Sequence, residues 1–172
     1  MKYFIGQVLL IILTFILQTT IILKISIADV VPNLIIILVS VYGFSKGENS
    51  GMITGFIAGL LCDIFFGPIL GFHALLLIFL GYANGKITKL YYPDYLIYPF
   101  LMVGLSSFTY NFVYYVCMFL LRSRFEFEIY LKEIIIPEFL YTLIISIIFV
   151  PFILRWNSLF SRRWLREKEE DV

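Results

Sequence analysis

Twenty-one consecutive residues near the start of the chain, Tyr3 to Leu23, carry no charge. As a helix rising about 1.5 Å per residue, that run reaches roughly 31 Å, one bilayer core. It is longer than the apolar part of a signal peptide, and no small-residue cleavage site follows, so it reads as a retained span. The rest of the chain extends the same character. Of the 172 residues, 61% are apolar or aromatic and 15% are charged, against about 25% charged in soluble domains. Mean hydropathy is +0.95. A domain this small leaves much of its surface exposed and cannot hide so much apolar area from water. Lipid is therefore its solvent. That excludes a cytosolic enzyme, a nucleic-acid-binding domain and a disordered segment.

Five further apolar stretches follow, at about Val30–Phe44, Gly51–Phe66, Leu70–Gly85, Tyr95–Leu121 and Ile134–Leu154. The expected fold is an all-α polytopic membrane protein with six transmembrane helices over residues 1–154. A basic, then acidic, tail occupies 155–172. Six spans place both termini on one side. Nine Lys and Arg residues fall on that side and four on the other, which makes the terminal side cytoplasmic. If the third and fourth spans form a re-entrant pair, this parity survives, but the turn between them does not cross.

Catalytic and metal chemistry have little to work with. Cys62 and Cys117 lie inside apolar runs without further ligands near them, which argues against zinc or an iron–sulfur cluster. His73 is the single histidine. Asp63 is the only aspartate inside a span, whereas an aspartic dyad needs two facing carboxylates. The chain reads as non-enzymatic and free of cofactors.

Nine of the eleven glycines lie between Gly43 and Gly85. Gly43, Gly47, Gly51, Gly55 and Gly59 recur every fourth residue, and Asp63, Gly67 and Gly71 continue the step. Such spacing draws a slanting ridge along a helix. Glycines there let a second helix approach closely, where dispersion and weak hydrogen bonds act without a hydrophobic drive. Gly47, Gly51, Gly55 and Gly59 are the expected packing ridge, facing either this protein's own helices or a partner. Asn33, Asp63, His73 and Glu138 are the expected buried polar residues. A buried carboxylate is costly in lipid and marks either a proton or substrate site or a structural cluster that pins helix register. Gln7, Thr14 and Gln18 share one face of the first span and should point inward. Pro32 suits a first helical turn. The segment from Arg124 to Lys132 alternates apolar and polar residues, a strand signal. Phe125, Phe127, Ile129 and Leu131 would form its apolar face, either lying on the membrane boundary or adding to a partner's sheet. Around Trp156 and Trp164, aromatic and arginine residues suggest a short helix on an anionic leaflet.

The stretch from Pro32 to Gly85 resembles the MreD family of bacterial rod-shape proteins. The matching residues are Pro32-Asn33-Leu34 and an aliphatic run, Lys46-Gly47, and Gly51-x-x-x-Gly55-Phe56-x-x-Gly59-Leu60-x-x-Asp63. Gly67-Pro68-x-x-Gly71-Phe72-His73-Ala74-Leu75 and Gly81-Tyr82-x-x-Gly85 complete them. The resemblance implies a scaffold of the cell-elongation machinery in the bacterial inner membrane. Its implied partners are MreC, the MreB filament system, RodA and a class B penicillin-binding transpeptidase. It also implies a six-helix fold similar to the substrate-binding subunits of energy-coupling-factor transporters. One rival is a vitamin-binding subunit of such a transporter, against which the alanine-free first span counts. A channel built around Asp63 is the other.

Overall fold

The computed structural model describes residues 2–20, 30–67, 69–88, 97–118 and 127–170, with side chains placed from 4 to 158 within those ranges except 88, 127 and 129. The helices are α1 (Lys2–Thr20), α2 (Leu34–Lys46), α3 (Glu48–Phe66), α4 (Phe72–Thr88), α5 (Ile97–Met118), α6 (Phe127–Tyr130) and α7 (Ile136–Glu170), with a π-helical turn, Leu131–Ile135, joining the last two. Among the described residues, three helical stretches are long and apolar enough to cross a membrane: Glu48–Phe66, Ile97–Met118 and Leu131–Ser158. Phe4–Thr20, Leu34–Lys46 and Phe72–Ile87 are apolar but shorter.

The bundle is built around α2. Ten consecutive residues, Leu34 to Gly43, are buried, and α1, α3, α4, α5 and α7 all pack on the helix. A helix apolar on every side belongs in an interior, and α2 reads Leu-Ile-Ile-Ile-Leu-Val before its first polar residue, Ser40. Its β-branched residues are poor helix formers in water. In lipid the backbone must satisfy itself, and the helix is the local way to do so. The helix begins at Leu34, not Val30. Asn33 is its N-cap, and its Oδ1 accepts from the Ile36 amide at 3.1 Å. Pro32 therefore sits ahead of the helix and not in its first turn.

Helices α3 and α4 form an antiparallel hairpin. Gly47 alone separates α2 from α3, at φ +88°, a conformation that glycine adopts without steric cost. At the other end of the chain, α7 continues unbroken past Leu154 to Glu170. No break in the backbone marks the boundary between span and tail.

From Phe127 onward the alternating segment is helical and not a strand. Phe127–Tyr130 is α-helical and Leu131–Ile135 π-helical, while Phe125 lies outside the described residues. Two physical reasons stand against the period-two pattern. Lys132 Nζ donates to Glu128 Oε1 at 2.6 Å, a helical i,i+4 pair that alternation overlooks. Pro137 cannot donate to the Glu133 carbonyl, and its ring crowds that carbonyl in a regular α-helix. The backbone widens just before it, and the Ile136 amide bonds the Leu131 carbonyl, five residues back.

Candidate functional site

The polar residues expected to be buried gather at one end of the bundle, where α2 and α4 begin, but only Asp63 is buried, while Asn33, His73 and Glu138 are half-buried. The Asp63 side chain, 3% exposed, reaches from the last turn of α3 to the start of α4. Its Oδ2 accepts from the amides of Gly71 at 2.9 Å and Ala74 at 3.0 Å, and its Oδ1 from that of His73 at 2.9 Å. Three backbone donors at a helix N-terminus, where the peptide dipoles favour negative charge, are what a carboxylate in lipid needs. Gly71, at φ +93°, lets the chain turn back toward it. The His73 ring points elsewhere. Its Nδ1 lies 2.6 Å from the Tyr110 hydroxyl of α5, and it stacks on Tyr114 with centroids 5.6 Å apart.

The start of α2 is held from two other helices. Gln18 Oε1, on α1, accepts from the Leu34 amide at 2.8 Å, and its Nε2 donates to the Pro32 carbonyl at 3.0 Å. From α7, Thr142 Oγ1 accepts from the Asn33 amide at 3.0 Å. Asn33 Nδ2 lies 3.5 Å from Glu138 Oε1, and Asn111 of α5 lies close to the same carboxyl group. Asn33 thus meets Glu138, Asp63 meets the His73 backbone, and the neighbours Tyr110 and Asn111 on α5 connect the two groups. Among the described residues, the partners of the Asp63 side chain are backbone amides of α4 or of the turn before it. That arrangement fixes the hairpin and does not present the carboxylate to a solute.

The glycine ridge faces the protein's own helices. A Cβ added to Gly51 would collide with the Gly81 backbone, one at Gly55 with that of Leu77, and one at Gly59 with that of Ala74. On α4, Gly81 meets Gly51, and Gly85 meets Glu48. In each case the added methyl would come closer than 3.0 Å to main-chain atoms. Gly43 extends the seam to α2, 2.7 Å from the Gly81 carbonyl by the same measure. Gly47 shares the spacing but not the role, since nothing lies within 4 Å of its added Cβ and it serves the turn. Gln7 ties α1 to this unit, donating to Thr54 Oγ1 at 2.7 Å.

Gly43-Phe44-Ser45-Lys46-Gly47 matches the G-x-S-x-G pattern of hydrolases. That pattern needs a sharp strand-to-helix turn. Ser45 sits inside α2, at the end of the bundle away from His73. Among the described residues, no three His, Cys, Asp or Glu side chains converge to hold a metal.

A family model described as rod shape-determining protein MreD matches residues 2–159. The chain belongs to the MreD family. Membership carries a role in rod shape determination and a place in the membrane, in a family of shape-determining proteins not known as enzymes. Searches of curated proteins and of solved structures each return no match. Several residues of this MreD-family chain that shape the site escape a reading of the sequence. Gln18 is legible as inward-facing, but not as the residue that caps α2. Tyr110, Asn111 and Thr142 belong to no recognisable motif. Gly81 and Gly85 do carry a signal, the same four-residue step as the ridge they oppose.

Proposed function

We propose that this protein is a non-enzymatic membrane scaffold of the bacterial cell-elongation machinery, which maintains rod shape together with MreC during lateral peptidoglycan synthesis. Family membership across residues 2–159 carries the reading. The interior supports it, because α2, α3 and α4 meet through backbone contacts and make a stiff unit with outward surfaces for partners. The MreB filament system, RodA and a class B penicillin-binding transpeptidase belong to the same assembly in this reading. So do six membrane segments, the third and fourth either crossing or forming a re-entrant pair, and a fold similar to the substrate-binding subunits of energy-coupling-factor transporters. The nine-to-four excess of basic residues supports cytoplasmic termini. The test is purification of the tagged full chain from rod-shaped cells in mild detergent. MreC should co-purify, and depletion should widen the cells. Recovery of a folded protein without MreC, with normal cell width on depletion, would overturn the reading.

A further inference from the structure

The turn between α3 and α4 has unusual surroundings for a connection between two spans. From Ile64 to Phe72 the sequence has no polar side chain. Phe65 and Phe66 are each 63% exposed, and Leu70 is 71% exposed. A loop in water would waste this apolar area.

Two further observations say where the turn lies. The first is length. At the opposite end of the hairpin stand Lys46, Glu48 and Lys86, and Gly85 packs against Glu48, so the charged ends are level. Charged groups of this kind mark the aqueous boundary. From Glu48 to Phe66, α3 rises about 27 Å, and from Lys86 back to Phe72, α4 rises about 21 Å. The α3 rise is near the lower end of spanning length, and the α4 rise falls short of the roughly 30 Å hydrocarbon core. The second is the backbone. The amide of Gly67 bonds the Asp63 carbonyl, that of Phe72 the Ile69 carbonyl and that of Leu75 the Gly71 carbonyl. Gly71, His73 and Ala74 donate to the Asp63 carboxylate. An unsatisfied backbone polar group costs several kcal/mol in the bilayer core, and the hairpin satisfies these six amides itself, which lowers the cost of placing the turn there.

We propose that the α3–α4 tip, formed by Phe65, Phe66, Ile69 and Leu70, ends inside the hydrocarbon of the far leaflet and is covered by lipid acyl chains. Asp63 is then the positioning residue that lets the chain reverse there, a role independent of the scaffold reading. The hairpin enters and leaves by one face, and the parity of the termini is unchanged.

The test uses the full chain in lipid nanodiscs, where a water-soluble maleimide reaches both faces. Phe66→Cys and Leu70→Cys are placed separately in a background with Cys62→Ala and Cys117→Ala. Each is repeated with the native cysteines present and their labelling subtracted. Glu128→Cys is the reference, since Glu128 is 81% exposed in the polar segment at the same end. The two tip cysteines should label at least tenfold more slowly than the reference and at the same rate once denatured in dodecyl sulfate. A bimane attached to them in detergent before reconstitution should be quenched by lipids brominated along the acyl chain. Labelling at the reference rate would overturn the proposal by placing the tip in water. Slow labelling without quenching would also overturn it, because protein and not lipid would then cover the tip.

Discussion

Two helix pairs in this molecule solve the same packing problem in opposite ways. In the α3–α4 hairpin the main chains touch, and Gly51, Gly55, Gly59, Gly81 and Gly85 leave no room for a methyl group. Between α5 and α7 the side chains touch. A Cβ at Gly104 would lie 3.3 Å from Leu143 Cδ2 and from Phe139 Cε2, the mobile ends of two side chains. There Phe100, Leu101, Leu105 and Phe108 line a shallow apolar groove with them. Lipid offers no hydrophobic drive for helices to associate, so the hairpin depends on close approach and the α5–α7 pair on interdigitation. The first contact has almost no tolerance for added volume, whereas the second can yield.

The largest expected effect is a substitution in the seam. Gly55→Leu and Gly59→Leu force main chain away from main chain, and should exceed the roughly 1–3 kcal/mol cost of ordinary overpacking. Neither variant should survive as a monodisperse peak in gel filtration after detergent extraction. If both behave as the parent does, the seam is not the tight contact that sets this pair apart. Next comes the cap that closes the hairpin. Asp63→Leu strands three amides, at about 1–3 kcal/mol each, and should lower the thermal midpoint strongly. Asp63→Asn keeps one acceptor oxygen and should fall between. Equal loss in both would point to the negative charge itself.

A smaller effect is expected where α7 holds α2. Thr142→Val keeps the shape but removes the acceptor for the Asn33 amide, which should cost about 1–3 kcal/mol by the same reasoning. A thermal midpoint equal to that of the parent would show that another group takes the amide. The smallest effect belongs to Gly104→Ala. The side-chain ends that it meets can shift by a few tenths of an ångström, and the change should stay within about 1 kcal/mol. Collapse of this variant would erase the distinction between the two pairs.

How much of this is legible in the sequence follows the same division. Glycine is a discrete signal, and its four-residue step survives translation into a helix surface, so the ridge can be read from the letters. Register alone does not separate a packing position from a turn, and Gly47 falls into that gap. The partners of Asp63 are backbone amides, which every residue except proline carries and no letter distinguishes. Cross-helix capping by Gln18 and Thr142 joins residues 16 and 109 positions from the groups they bind, beyond any local pattern. The segment around Phe127 misleads because period two counts side chains alone. Its helix follows from the i,i+4 ion pair and from continuity with α7.

The encasement of α2 has a consequence for how the protein is made. With 13 residues, about 20 Å, α2 is too short to cross a bilayer alone, and when it emerges from the ribosome only α1 has been made. Its walls arrive in chain order, first the hairpin, then α5, and last α7, which supplies Thr142. The centre of the molecule is therefore synthesised early and completed late. Until the final helix docks, the half-built bundle offers its most apolar helix to any surveillance protease in the membrane, and a chain that stalls before residue 142 carries an open core.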